Sequence, residues 1–254
     1  MILGFIGTGK ISSSIIYGIF KSKLKFNRIY ISSRNKNIAK KLERQFRQVK
    51  ILKNNQEIIN KSSTIILGLT PVVGNKILPK LKFSKKKNII SLISTIKLED
   101  LKKLTKNNNI VRATPLPPIE INKGPIVICP PNKSAKSIFK HLGLVIEIRN
   151  EKLSYKFWST ASIMAAYYEL LNVSAGWLVK KGIKKKLANN YISELFLSLS
   201  QDAVNKRSQG FKKLVADSQT PKGLNEQALK ELKRDKFYSK FIKALENINK
   251  RVSK

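Results

Sequence analysis

The first twelve residues constrain the fold more than any other feature of this chain. A short apolar run over residues 2–6 leads into the turn Gly7-Thr8-Gly9, and a segment of helical character follows it. Glycine at position 7 permits a tight turn, and glycine at position 9 lets the backbone approach a pyrophosphate at the amide-bearing end of the helix. We therefore predict a dinucleotide-binding turn, with a purely structural turn as the alternative. The expected cofactor contacts are Gly7, Thr8, Gly9, Lys10 and Ile11.

Apolar runs and amphipathic stretches alternate over the first 150 residues, as is typical of βα units on a parallel sheet. The predicted strands span residues 2–6, 28–32, 64–69, 88–92, 110–113, 126–129 and 145–148. From about residue 150 helical periodicity takes over, and it predicts long helices over residues 152–181 and 184–208, with shorter ones to 251. The first of these is apolar nearly all round, so burial against a second subunit is expected.

The predicted fold class is therefore α/β. A Rossmann-like parallel-sheet domain is expected over residues 1–150, and an all-α dimerisation domain over residues 151–254.

The net charge of +36, from 51 Lys and Arg residues against 15 Asp and Glu, is the most extreme feature of the composition. The lysines are spread over almost every segment, often beside Asn and Ile, and no basic arm or aromatic-studded basic strand gathers them. A general compositional bias explains this charge without a nucleic-acid partner. We expect no specific nucleic-acid binding.

Two residue types are too scarce for some classes of site. The single cysteine, Cys129, and the single histidine, His141, exclude an intramolecular disulfide framework and a zinc site. The most apolar segment, residues 157–179, contains Glu169 and Asn172, which favours a buried helix over a membrane span. The N-terminal apolar run lacks a preceding basic region, so we expect a cytoplasmic protein without a membrane partner.

The end of the second predicted strand bears on the choice of dinucleotide. An NAD-selective site usually places Asp or Glu there to bind the ribose hydroxyls. This chain has Ser32-Ser33-Arg34 instead. Arg34, with Ser32 or Ser33, would bind a 2′-phosphate by charge-assisted hydrogen bonds. The pattern predicts NADP(H), with NAD disfavoured; a solvated surface charge is the alternative interpretation of Arg34.

Loops after other predicted strands lie where ligands bind in open α/β sheets, at the carboxyl ends of the strands. The loop at the end of the predicted strand over residues 64–69 supplies three further expected cofactor contacts, Leu69, Thr70 and Pro71. Ser94 and Thr95 follow the next strand, and residues 112–118 form a proline-rich loop that we expect beside the nicotinamide.

Along nearly its whole length the chain resembles the pyrroline-5-carboxylate reductase family. The resemblance is carried, in the same order and spacing, by Gly-Phe-Ile-Gly-Thr-Gly-Lys-Ile at residues 4–11, Thr70-Pro71, Arg112-Ala113-Thr114-Pro115, Ala166-Tyr167 and Thr220-Pro221-Lys222-Gly223. It implies a Rossmann domain, a helical domain that dimerises by interleaving, NAD(P)H as cofactor, and reduction of a cyclic imine to proline.

The departures from that family fall in the substrate half. The family's Met-Pro-Asn-Thr-Pro is replaced at residues 113–118, its Gly-Ser-Gly-Pro-Ala-Tyr at residues 162–167, and its Pro-Gly-Gly-Thr-Thr at residues 221–225. The resemblance places the substrate carboxylate at the last of these segments, where Lys222, Gly223 and Asn225 would bind a small anionic imine. A related imine or keto-acid reductase, and a non-catalytic dinucleotide-binding homologue, are the alternatives.

A hydroxyacid dehydrogenase would have the same two-domain layout. It should carry Lys-x-x-x-Asn on the long helix, because the lysine acts there as the acid/base group. Asn172 is present, but Tyr168 holds the lysine position, which argues against that class. No catalytic side chain is identified from the sequence.

Overall fold

Eight strands and twelve α-helices are formed by residues 1–253, which the computed structural model describes. The strands are β1 (Ile2–Ile6), β2 (Arg28–Ser32), β3 (Val49–Leu52), β4 (Thr64–Leu67), β5 (Asn88–Ser91), β6 (Ile110–Thr114), β7 (Pro125–Cys129) and β8 (Leu144–Glu147). The helices are α1 (Lys10–Lys21), α2 (Lys36–Gln45), α3 (Asn55–Lys61), α4 (Pro71–Ile77), α5 (Leu98–Thr105), α6 (Lys133–Phe139), α7 (Glu151–Ala161), α8 (Met164–Lys180), α9 (Lys185–Asn205), α10 (Phe211–Asp217), α11 (Leu224–Arg234) and α12 (Phe237–Val252).

The chain divides into two compact units, of which the first comprises residues 1–158 together with 252 and 253, and the second comprises Ser159–Arg251. The first contains one sheet in the order β3-β2-β1-β4-β5-β6-β7-β8, in which β7 pairs antiparallel with β6 and all other pairs are parallel. The predicted α/β class, with a sheet domain followed by an all-helical region, is confirmed. The functional division at residue 150 stays a prediction.

Helices cover both faces of the sheet, since each face carries its own buried apolar layer. Ile15, Ile16 and Leu42 of α1 and α2 belong to one layer, and Ile58 and Leu101 of α3 and α5 belong to the other. The strand order reverses between β1 and β4, and open α/β sheets bind ligands in the crevice at such a point. Cys129 is buried at the end of β7.

Strand β3 is absent from the sequence-based prediction. It is a short edge strand of four residues that pairs only with β2, and its Lys50 is exposed. An edge strand needs only a half-buried side, so its apolar signal is weak. This omission has a consequence for the site, because the loop after β3 borders it.

The predicted single helix over residues 152–181 is wrong, because the chain breaks between α7 and α8. The backbone N–H groups of Ser162 and Ile163 donate to the carbonyls of Ser159 and Thr160, both at 3.3 Å, in place of bonds four residues back. The Ser162 hydroxyl also donates to the Ser159 carbonyl, at 2.6 Å. Local hydroxyl bonding of this kind competes with helix continuation.

The second unit has a small core of its own. Ala175, Ala188 and Ile192 are its buried cluster, formed where α8 packs against α9. By contrast, α8 exposes large apolar side chains, with Val173 52% and Trp177 60% accessible. As the sequence indicated, α8 has apolar side chains on its exposed faces as well as on its buried face.

Candidate dinucleotide site

Gly7, in the turn after β1, occupies a position where only glycine fits. Gly7 has a φ of +97°, and a Cβ added to it would lie 2.2 Å from the carbonyl oxygen of Gly68, which follows β4. At Gly9, the N-cap residue that precedes α1, an added Cβ would meet no atom within 4 Å. The turn is thus closed against β4 at Gly7 and open at Gly9, which leaves room for a ligand beside the first amides of the helix.

Ser32 and Thr8 hold this turn in place. The Gly7 N–H donates to Ser32 Oγ at 3.0 Å, and the Thr8 hydroxyl donates to the Ser32 carbonyl at 2.7 Å. Both side chains are buried. The sequence assigned Ser32 to a 2′-phosphate, whereas in the structure its hydroxyl is bonded within the turn. A direct cofactor contact by Ser32 stays a prediction.

Ser12, in the first turn of α1, lies against Gly68, the residue after β4. It is fully buried, and a Cβ added to Gly68 would lie 2.1 Å from its hydroxyl oxygen. That hydroxyl has no hydrogen-bond partner. Serine therefore fits this position, at the cost of about 1–3 kcal/mol for an unsatisfied buried hydroxyl.

Two adjoining cavities lie along the carboxyl edge of the sheet. One, of about 550 Å³, is bordered by Gly7, Thr8 and Gly9; the other, of about 630 Å³, extends over β2 and β3. They share four lining residues, Gly7, Arg34, Leu69 and Val73. A chain of cavities from the open glycine turn to the basic end of β2 suits an elongated ligand with a diphosphate at its centre.

The predicted cofactor residues divide into two groups. The cavity walls include Gly7, Thr8, Gly9, Ser32, Ser33, Arg34, Leu69 and Thr70. The remaining three do not line these two cavities: Lys10 and Ile11 lie in the first turn of α1, and Pro71 is the first residue of α4. Sequence reasoning missed Lys53, Asn54 and Lys76, and the signal that could have found the first two was the alternating segment of β3.

Arg112, on β6, is a buried cation that ties three segments together. Its side chain is 1% exposed, and its guanidinium donates to the Ser94 carbonyl, to the carboxylate of Glu151 and, at 3.1 Å, to the Tyr155 hydroxyl. The same Glu151 carboxylate accepts the Leu98 N–H at 2.8 Å. Burial raises the pKa of Tyr155 above its usual range, so this hydroxyl stays protonated.

An aromatic ring completes this cluster. The Arg112 guanidinium carbon lies 4.0 Å from the centre of the Trp158 ring, a stacking distance for a cation over an aromatic face. Because Ser94 follows β5, the cluster fixes the loop at that strand's carboxyl end, one of the loops that the sequence placed where ligands bind. The sequence identified Arg112 but not its partners.

The predicted substrate residues form a turn that begins α11. Lys222 is exposed and has a φ of +62°, a left-handed conformation that glycine adopts without strain. Its N–H donates to Glu226 Oε2 at 2.7 Å, and the Gly223 N–H donates to the Thr220 carbonyl at 2.8 Å. Asn225 donates through its side-chain amide to the Ser218 carbonyl at 3.0 Å.

Glu226 therefore brings a carboxylate to this turn. Lys230 pairs with it at 2.8 Å and, together with the Lys222 N–H, lowers the pKa of Glu226. The turn has a backbone shape that suits glycine, and the N–H groups of Lys222 and Gly223 and the side-chain amide of Asn225 already donate within it. The Lys222 ammonium is the predicted group left to meet an anionic ligand.

None of the helices in residues 1–253 combines the length and apolar character that a bilayer crossing needs. Over the same residues, no three His, Cys, Asp or Glu side chains are grouped as metal ligands.

Two protein-family models match the chain. Residues 2–95 match the family described as NADP oxidoreductase, coenzyme F420-dependent, and residues 157–254 match the family described as pyrroline-5-carboxylate reductase dimerisation. Together the two models cover the glycine turn, the first strands of the sheet and nearly all of the helical unit.

Relatives that match 58–96% of the chain carry the name of the same reductase. The pyrroline-5-carboxylate reductase of Arabidopsis thaliana is 23% identical over 253 residues, which are 96% of this chain and 91% of that protein. That of Synechocystis is 26% identical over 155 residues, 58% of each chain.

Solved structures of these reductases share the fold. The Streptococcus pyogenes enzyme superposes with a TM-score of 0.86 at 23% identity, covering 100% of this chain and 98% of its own. The Plasmodium falciparum enzyme, solved with NADP bound, superposes with a TM-score of 0.85 at 20% identity, covering 100% and 97%.

Proposed function

Because the chain is a divergent member of the pyrroline-5-carboxylate reductase family, we propose that it is an NAD(P)H-dependent reductase of a cyclic imine, and that its substrate is pyrroline-5-carboxylate, which it reduces to proline. The observation that carries this proposal is the glycine turn, closed against β4 at Gly7 and open at Gly9, in a chain whose helical unit matches the reductase dimerisation family.

In this reaction the main contribution of the protein is to position the cofactor and the substrate. When bound, a dihydronicotinamide would supply a hydride to the carbon of the C=N bond, and a proton would add to the nitrogen to complete the amine. The chain's own residues bind and orient the reactants, which lowers the entropic part of the barrier. Gly9 leaves the helix amides accessible to the diphosphate, and Arg112 holds the loop of Ser94 at the same edge of the sheet.

We further propose that NADPH is preferred over NADH. Ser33 and Arg34 are exposed and border the larger cavity, and no Asp or Glu is among the residues that line it. A guanidinium there suits a phosphate, whereas a ribose 2′-hydroxyl would need a carboxylate to accept its hydrogen bond.

The test of this proposal is an NADPH-oxidation assay with pyrroline-5-carboxylate beside a panel of cyclic imines and keto acids. We expect turnover with pyrroline-5-carboxylate and tighter binding of NADPH than of NADH by calorimetric titration. Turnover only with another compound would favour a related imine or keto-acid reductase. Cofactor binding with no turnover on the panel would indicate a non-catalytic homologue.

Lys222, Gly223 and Asn225 are proposed to bind the substrate carboxylate. Substitution of Lys222 by methionine removes the cation and should raise the KM for substrate at least about tenfold, since a hydrogen bond to a charged group contributes about 1.5–3 kcal/mol. Cofactor affinity should not change. Steady-state kinetics decide, with Lys233→Met in the last turn of α11 as the matched control. An unchanged KM would show that Lys222 is only a solvated surface charge.

The protein is proposed to be a homodimer or a higher homo-oligomer through α8. The exposed Val173 and Trp177 side chains on this helix are the apolar surface that a second subunit would cover. Light scattering at micromolar concentration should give at least twice the 28.8 kDa chain mass. Val173→Asp should shift the protein toward the monomer, and a wild-type monomer in solution would contradict the proposal.

A further inference from the structure

The larger cavity is bordered by cations from three separate segments. Arg34 follows β2, Lys53 follows β3, and Lys76 lies on α4. Among the ion pairs formed within residues 1–253, none involves these three side chains. Three unpaired like charges around one cavity create a positive potential that favours a multivalent anion.

The rest of the cavity wall is apolar. Ile6, Leu52 and Leu69 border it from the strand ends, and Val73 and Ile77 border it from α4. Apolar walls with a few charged groups suit a ligand that joins a flat ring to a phosphate. The adenosine end of a dinucleotide with a 2′-phosphate has both parts.

The loop that carries Lys53 is fixed by its own hydrogen bonds. Asn54 accepts the Glu57 N–H through its side chain at 2.9 Å, which caps α3. The Glu57 carboxylate pairs with Lys61 at 2.8 Å, and this contact lowers the pKa of Glu57. The Lys53 N–H and the Lys53 charge also lower this pKa, but Lys61 is the ion-pair partner of Glu57, and the Lys53 ammonium forms no ion pair with it.

The Ser32 hydroxyl is not available to bind a phosphate at this end of the cavity. It accepts the Gly7 N–H and contacts the Thr8 hydroxyl at 3.1 Å, so it serves the turn. A phosphate at this end of the cavity is left with Ser33 and Arg34 on the β2 side. We propose that Lys53 and Lys76 are specificity-determining residues that bind the 2′-phosphate from the opposite walls, an inference that rests on the proposed use of NADPH.

The test separates the phosphate from the rest of the cofactor. The probes are adenosine 2′,5′-bisphosphate and 5′-AMP, titrated calorimetrically into the intact protein, with NADPH and NADH titrated in parallel. Lys53→Met and Lys76→Met should each weaken binding of the bisphosphate and of NADPH about tenfold, because each removes a charge-assisted contact. Binding of 5′-AMP and NADH should change much less.

Lys50→Met is the matched control. Lys50 is exposed on β3, three residues before Lys53, and does not line the cavity. Its substitution removes the same charge from the neighbouring segment of chain and should leave all four affinities unchanged. If Lys53→Met and Lys76→Met behave like this control while NADPH still binds tightly, the inference is overturned and the proposed function stands. If the wild type binds neither NADPH nor NADH, both are overturned.

Discussion

Substitution of Glu151 by alanine lowers the free energy of unfolding of the first unit by about 3–5 kcal/mol, the range for breaking a buried ion pair by removing one partner. The reason is that Arg112, with 1% of its side chain exposed, keeps its charge and loses the carboxylate that balances it. The Leu98 N–H loses its acceptor in the same change. Urea unfolding measured by Trp158 fluorescence, in a Trp177→Phe background, reports on this cluster because Trp158 stacks on the guanidinium.

Glu99→Ala provides the comparison for this prediction. Glu99 pairs with Lys102 at 2.7 Å, but its side chain is 70% exposed, so its removal should cost at most about 1 kcal/mol. A Glu151→Ala variant no less stable than Glu99→Ala would contradict the assignment of Arg112 as a buried charge held by its partner. The double variant Arg112→Met/Glu151→Leu should recover part of the loss, since it leaves no buried charge unpaired.

Substitution of Gly7 by alanine weakens NADPH binding at least about a hundredfold and lowers stability by at least about 2 kcal/mol. The added Cβ would lie 2.2 Å from the Gly68 carbonyl oxygen, and the φ of +97° is strained for any residue with a Cβ. The turn must then move, and the amides at the start of α1 move with it. Calorimetric titration with NADPH and thermal unfolding measure the two effects.

Two other glycines separate these effects. Gly124 has a φ of +96° with no atom within 4 Å of an added Cβ, so Gly124→Ala measures the backbone strain without a clash. Gly9→Ala meets no neighbour and should leave stability nearly unchanged, yet its methyl group would stand where the diphosphate approaches. Retained NADPH affinity in Gly9→Ala would show that the cofactor does not pass over this turn.

The parts of the fold that the sequence predicted are those with strong local signals. β1 and β4 are nearly continuous apolar runs because the interior strands of a parallel sheet are buried on both sides. The glycine turn was predicted because a tight turn needs a residue that adopts a positive φ without strain, and Gly7 has a φ of +97° in the structure.

The parts that it could not predict depend on distant partners or on competing local bonds. Arg112 is separated by 39 residues from Glu151, and no local pattern joins them. Ser32 was assigned to a phosphate because the sequence does not reveal that its hydroxyl accepts the Gly7 N–H. That bond spans 25 residues and has no local pattern. The break at Ser162 was missed because the apolar periodicity continues through it, while the hydroxyl bond to Ser159 ends the helix.

The small core of the second unit makes its stability a matter of protein concentration. Ala175, Ala188 and Ile192 form a small buried cluster for a unit of this length, and α8 leaves Trp177 uncovered, so a covering subunit should add to the folding free energy of this unit. In the proposed assembly, folding of this unit and subunit association form one equilibrium. Dilution then favours dissociation and unfolding of this unit, and the Tm rises with protein concentration.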